Sequence, residues 1–196
     1  LFFSSNRPGV GGMDIWCSEI IDTTSERLFF TNPTNLGKAV NSSGNDFSPF
    51  IHADGTTLYF SSEGKSGMGG SDLFISKLAD TVWLEAVNLG YPINSMFNED
   101  GLVVSATSNV AIFSSNRQGS IDGSKDLYQL RLPTEFLPEK VAYISGLVYD
   151  IETGLKLQTI IEITQLESNE LKRIVSDRSE GFITTLLSKK RYELNF

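Results

Sequence analysis

Leu58-Tyr59-Phe60-Ser61-Ser62, then the loop Gly64-Lys65-Ser66-Gly67-Met68-Gly69-Gly70, then Asp72-Leu73-Phe74: this pattern is written three times along the chain. The first copy is Leu1-Phe2-Phe3-Ser4-Ser5-Asn6-Arg7, running through glycines to Asp14-Ile15-Trp16. The third is Ala111-Ile112-Phe113-Ser114-Ser115-Asn116-Arg117, leading to Asp126-Leu127-Tyr128. Phe60 follows Phe3 by 57 residues and precedes Phe113 by 53. A period of that length marks a repeat architecture and outranks any reading of single elements.

A second block recurs between these hairpins. Asn35-Leu36-Gly37, Asn41-Ser42 and Asn45-Asp46 return as Asn88-Leu89-Gly90, Asn94-Ser95 and Asn98-Glu99, all at the same 53-residue offset, as do Phe30 and Trp83. Apolar runs bounded by glycine and Asx clusters read as strands. In the middle unit they fall at Ser48 to Ile51, Leu58 to Ser62, Leu73 to Leu78 and Val82 to Val87, with Ala53-Asp54-Gly55 as the first turn. Four antiparallel strands per unit is the make-up of a β-propeller blade.

Composition agrees with an all-β chain. Phe, Tyr and Trp make up 11% of the 196 residues, and the Ala/Leu/Glu/Lys bias of helical proteins is missing. The net charge of −8 is concentrated in residues 1–138, which hold 15 acidic and 8 basic side chains. Such a surface repels phosphate backbones, and no basic stripe with interleaved aromatics is present, so nucleic acid is not an expected partner. No apolar run approaches the roughly 20 residues that span a bilayer.

The stretch Leu132 to Lys140 carries Pro133 and Pro138 and reads as a linker over 133–140, between domains at 1–132 and 141–196. Beyond it Val141 to Tyr149, Thr159 to Leu166, Leu171 to Ser176, Phe182 to Leu187 and Tyr192 to Phe196 are strand candidates.

The pattern from Asn-Leu-Gly through Asp54-Gly55-Thr56-Thr57-Leu58-Tyr59-Phe60-Ser61-Ser62 to Gly69-Gly70-Ser71-Asp72-Leu73-Phe74 resembles the WD40-like propeller repeat of TolB type, in the variant of OmpA-family envelope proteins of Bacteroidetes type. The likeness covers residues 1 to about 132; it departs at His52, where serine is usual, and at Thr107-Ser108-Asn109, where the Asp-Gly turn has decayed. Gly146, Val148, Asp150, Thr153-Gly154, Leu157, Ser176-Asp177, Gly181-Phe182, Tyr192 and Leu194 resemble a carboxypeptidase regulatory-like domain, a small transthyretin-like β-sandwich; Lys156 stands where proline is common. The resemblance implies an all-β fragment with about three four-stranded blades of a partial propeller and a truncated β-sandwich. It further implies a non-catalytic interaction or scaffold module in the periplasm or at the outer membrane, with envelope proteins or cell-wall components as partners. The alternative is the propeller of a larger peptidase or glycosidase, for which a Gly-x-Ser-x-Gly nucleophile elbow in flanking sequence is the discriminating feature.

No cofactor, metal or catalytic set is expected. His52 is the only histidine and lies in a repeat turn; Cys17 is the only cysteine and occupies a strand position held elsewhere by Ile75 and Gln129. Carboxylates such as Asp46 with Asp54, Glu99 with Asp100, or Asp122 with Asp126 lack a dedicated Ca²⁺ spacing. Asp14, Asp72 and Asp126 are expected to cap their own loops by accepting backbone N–H bonds. Asn6-Arg7 and Asn116-Arg117 recur at one loop position, with Lys65 near it in the middle unit, and are the candidates for a binding face, since arginine holds carboxylates bidentately; the alternative is that each arginine pairs with a neighbouring loop carboxylate or is solvated.

Overall fold

The computed structural model describes residues 1–22, 29–107 and 109–196; Ser108, the middle of the decayed turn, lies outside them. Strand accounts for 47% and helix for 3% of the structure, so the all-β class holds. The chain divides into two compact units, Leu1–Pro138 and Glu139–Phe196.

In the first unit each sequence repeat is an antiparallel sheet. The first repeat contains β1 (Phe2–Ser5), β2 (Asp14–Cys17), β3 (Ile20–Asp22), β4 (Phe29–Phe30) and β5 (Thr34–Asn35), ordered β1-β2-β5 with β3-β4 as a separate hairpin. The second contains β6 (Asp46–Ile51), β7 (Thr57–Ser62), β8 (Asp72–Ala79), β9 (Val82–Trp83) and β10 (Val87–Asn88), ordered β10-β8-β7-β6 with β9 also on β8. The third is β11 (Glu99–Val104), β12 (Val110–Ser115) and β13 (Asp126–Arg131) in chain order. The repeated phenylalanines keep one register: Phe3 opposes Trp16, Phe60 opposes Phe74 and Phe113 opposes Tyr128.

Every residue of β7 is buried, and the reason is that its sheet is covered on both faces. Leu58, Phe60 and Phe74 pack with Ile15 and Val40 from the first repeat. Tyr59, Leu73 and Ile75 pack with Leu89, Leu102 and Phe113 towards the third. The unbroken apolar run Leu58-Tyr59-Phe60 is the sequence form of such two-sided burial. Phe60 and Phe113 are fully buried, whereas Phe3 at the same phase of β1 is only half-buried.

Two expectations are corrected in detail. The fourth strand of the middle unit, read as continuous, is split into β9 and β10, because Ala86 N–H leaves the ladder to donate to Ala39 O (3.0 Å) while Ser76 Oγ donates to Leu84 O (2.6 Å). The Pro133 to Pro138 stretch is not a free linker either. Thr134–Phe136 makes a 3-10 turn, Phe136 and Leu137 pack on the core that contains Tyr59, and Tyr59 Oη donates to Phe136 O (2.6 Å). A phenol carried into a core needs such an acceptor.

Each connector between sheets is pinned by one buried asparagine. Asn94 Oδ1 accepts Leu73 N–H (2.8 Å), and its Nδ2 donates to Leu73 O (2.9 Å) and Asn88 Oδ1 (2.8 Å). Asn41 repeats this on Ile15 and Asn35 at 2.8, 3.0 and 2.9 Å. The side-chain amide thus stands in for a neighbouring strand at one residue of the sheet.

In the second unit β14 (Val141–Gly146) pairs with β17 (Phe182–Leu187), and β15 (Ile160–Gln165) lies between β16 (Leu171–Val175) and β18 (Tyr192–Asn195). Ile161, Ile163 and Leu186 form its core, with Ile144, Ile174, Phe182, Tyr192 and Leu194 around them. Asp150 and Asp177 order two turns: Asp150 Oδ1 accepts both the amide and the hydroxyl of Thr153 at 2.7 Å. Hydrogen bonds from Ser179 and from the Glu180 amide hold the Asp177 carboxyl down to about 2.

Asn94→Ala leaves Leu73 N–H without an acceptor inside the protein, at about 1–3 kcal/mol for a buried group left unsatisfied, while Leu73 O keeps the Leu89 N–H (3.0 Å). Urea unfolding of the first unit is expected to show a loss of at least about 1 kcal/mol; a change near zero would refute the clamp.

Candidate functional site

The chemistry-bearing residues of the first unit gather where β6, β7 and β8, or β11, β12 and β13, begin and end. Cross-strand register places Asp46 opposite Ser62 and Ser62 opposite Asp72, and likewise Glu99 opposite Ser115 and Ser115 opposite Asp126. Directly opposed residues of antiparallel strands share a face, so each row places two acids on either side of one serine.

In the third repeat the row is completed by Arg117. Its guanidinium lies over the rings of Phe113 (5.1 Å) and Tyr128 (4.9 Å). It donates through Nη1 to Pro92 O (3.1 Å) and through Nη2 to Ile93 O (2.7 Å) and Glu99 Oε1 (3.1 Å). Glu99, fully buried, also accepts from the Ser95 amide and hydroxyl and from Ser115 Oγ. Asn116, the neighbour of Arg117, accepts Asn98 N–H on its Oδ1 (2.9 Å). Asn116 and Arg117, candidates for a binding face, are therefore engaged within the fold.

The middle repeat has Gly64 at the position of Arg117 and Asp46 at that of Glu99. Asp46 Oδ2 accepts from Ser42 N–H and Oγ, but its Oδ1, like Oδ1 of Asp72, is buried without a hydrogen-bond partner. Lys65 replaces the arginine in part, because its Nζ donates to Ala39 O (3.3 Å), the counterpart of Pro92 O, and lies 3.7 Å from Glu85.

The first repeat shows the same chemistry half-finished. Arg7 lies over the rings of Phe3 (5.4 Å) and Trp16 (5.2 Å), as Arg117 lies over Phe113 and Tyr128. Its Nε donates to Ser5 Oγ (3.1 Å), and among the described residues its guanidinium has no other acceptor. Asn6 and Arg7 are both exposed, and the indole N–H of Trp16 is buried without a partner.

The loop aspartates lie at the same corner. Asp14 accepts from the amides of Val10 and Gly11 (3.0 Å) and from Asn35 Nδ2 (2.8 Å). Asp72 Oδ2 accepts from the amides of Met68 (2.9 Å) and Gly69 (3.1 Å). Asp126 begins β13 opposite Ser115. No group of three or more His, Cys, Asp or Glu able to hold a metal is found among the described residues.

His52 and Cys17 do not face one another's chemistry. His52 is buried, with Nδ1 accepting the Asp54 amide at 3.2 Å and lying 3.5 Å from Asp54 Oδ2, while its Nε2 has no partner. Burial raises the Asp54 carboxyl, but the His52 ring, the amides of Thr56 and Thr57 and the Thr57 hydroxyl together hold it well below the usual carboxylate range. Burial also raises the Cys17 thiol, which keeps it protonated and a poor nucleophile. Cys17 shares an open depression with Phe2, Leu36 and Trp83.

Sequence reasoning picked out the Asn-Arg pairs but missed Glu99 as the buried partner of Arg117. The signal was available in the 53-residue match of Asp46 with Glu99. No family model matches the chain, and no curated protein or solved structure matches it.

Removing one member of a buried ion pair costs about 3–5 kcal/mol, so Arg117→Met is expected to lower stability by about 3 kcal/mol. Arg7→Met, at an exposed side chain, should cost less than about 1 kcal/mol. Equal losses in denaturant titrations would remove the distinction between the two arginines. A depressed carboxyl stabilises the fold above its unfolded value and loses that contribution as the pH falls towards the folded one. Asp54→Asn is thus expected to flatten the acid side of the stability profile below about pH 5; thermal melts between pH 7 and pH 3 that keep the same slope would contradict it.

Proposed function

We propose that this chain is a non-catalytic interaction module of a cell-envelope protein, residues 1–138 forming part of a TolB-type propeller and residues 139–196 a carboxypeptidase regulatory-like β-sandwich. Three stacked antiparallel sheets with a common register support the propeller reading. Two small sheets sharing one core support the sandwich. The observation that carries the binding role is Arg7, an exposed guanidinium held over two rings beside the exposed Asn6. A pre-positioned arginine loses little side-chain freedom on meeting a carboxylate or carbonyl. The only histidine is committed to the turn that it shares with Asp54, which favours binding over proton-transfer chemistry. No helix among the described residues is long and apolar enough to cross a membrane.

The test is retention of defined envelope fractions, purified peptidoglycan fragments and solubilised outer-membrane proteins, by the immobilised chain and by its Arg7→Ala variant. Retention that falls at least tenfold with Arg7→Ala supports the reading. Turnover of peptide or glycoside substrates that disappears with His52→Ala would overturn it.

A further inference from the structure

In the middle repeat the acid-serine-acid row is buried and, among the described residues, its charge is uncompensated. Asp46, Ser62 and Asp72 stand side by side on β6, β7 and β8, at 0%, 1% and 2% exposure. One oxygen of each aspartate is engaged as an acceptor. Asp46 Oδ2 accepts from the amide (2.6 Å) and hydroxyl (2.9 Å) of Ser42, and Asp72 Oδ2 accepts from the amides of Met68 (2.9 Å) and Gly69 (3.1 Å). The other oxygen, Oδ1 in both, is buried and has no hydrogen-bond partner. Neither aspartate has an ion-pair partner among the described residues. A buried anion without a partner is costly, and two on one face of a sheet more so.

The third repeat shows what such a row accepts. There Arg117 brings its cationic Nη2 to 3.1 Å from Glu99 Oε1, and Ser115 Oγ donates to the same oxygen (2.6 Å). In the middle repeat neither contact forms. Gly64 stands in place of Arg117, with Gly44 packed where a side chain would start. Asp46 Oδ1 stops short of Ser62, whose Oγ accepts the amides of Gly64 and Lys65, both at 3.2 Å. Lys65 takes over the arginine's carbonyl contact, at Ala39 O, but not its contact with the acid. This row lies in the sheet that packs against both of the others, so the ends of the chain do not create it.

We propose that Asp46 and Asp72 hold a Ca²⁺ ion beside Ser62, where the third repeat places a guanidinium. Two carboxylates match a divalent charge, and a donor set of oxygens alone selects a hard ion over zinc or copper. Ca²⁺ accepts irregular oxygen cages, whereas Mg²⁺ keeps its own waters in an octahedral shell and suits a dry corner between packed loops less well. The aspartates already anchor the Ser42 connector and the Met68-Gly69 loop through Oδ2, so an ion on Oδ1 ties both loops to one sheet. The two acids are 26 residues apart in sequence and meet only because β7 runs between their strands. The site goes beyond the module reading and does not depend on it.

The experiment takes the whole 196-residue chain, stripped with EDTA, and CaCl2 as the probe. Equilibrium dialysis is expected to give one Ca²⁺ per chain. The melting temperature should rise by at least about 5 °C when calcium exceeds its Kd about 100-fold, and clearly less with MgCl2 at the same ionic strength. Asp46→Asn and Asp72→Asn each remove one charge at constant size, and each should weaken calcium binding at least about tenfold. Should either variant fail to fold, the parent chain still locates the ion: the amide resonances of Ser42, Met68 and Gly69 should be among those that calcium shifts most. No bound calcium, the result if the two acids share a proton instead, overturns the proposal. So does a melting shift that magnesium reproduces, binding indifferent to both substitutions, or amide shifts confined to other loops. Retention of envelope fractions by a chain that binds no calcium leaves the module reading standing, and calcium binding without such retention leaves only the ion site.

Discussion

The first unit depends on a side-chain amide inserted into a sheet. Asn41 and Asn94 each satisfy both backbone groups of one buried residue, Ile15 or Leu73, and hold a second asparagine of the same connector. Where a connector rather than a strand lies beside β2 or β8, the peptide N–H of Ile15 or Leu73 needs an acceptor from the connector, and burial makes an unpaired one costly. The amide resolves this with one donor and one acceptor on a single stem. Once it is in place, Val40 and Ile93 are fixed as apolar contacts of the two cores, and the next strand enters in register. The recurrence of Asn-Leu-Gly and Asn-Ser at a fixed offset is that requirement written in residues.

The acid-serine-acid rows show how a repeat tolerates variation in its polar chemistry. Glu99 reaches its serine and its arginine, and every oxygen is used. Asp46 is one methylene shorter, faces Gly64 in place of an arginine, and keeps one oxygen unpartnered. Gly64 is required there by the backbone of Gly44, whose nitrogen would lie 2.4 Å from any Cβ at position 64. The middle repeat has thus exchanged a guanidinium for close approach of two loops, and Lys65 supplies cationic cover from one residue further along.

Much of this was legible in the sequence. The three-fold pattern and the strand positions follow from the period and from apolar runs between glycine and Asx clusters. The break between β9 and β10 was not, because it arises from a hydrogen bond to Ala39, 47 residues away from Ala86. Nor was the shared bulge in β6 and β11. Gly101 adopts a positive φ of 66°, as glycine readily does, but its counterpart Ser48 adopts 51° with nothing in its identity to announce it. Arg117 was a candidate for a binding face with a carboxylate of the protein as the alternative, and Glu99 fulfils the alternative. A loop arginine in sequence carries no mark of whether an acid from the neighbouring strand will reach it.

The two faces of the middle sheet are not alike. One receives Ile15 and Val40 from the first repeat, and the other offers Tyr59, Leu73 and Ile75 to the third. Contacts of this head-to-tail kind have no internal two-fold axis, so satisfying one face always exposes another. A stack of such sheets has a direction, as a filament does, and it stops growing only when the array returns on itself or something of different shape covers its ends.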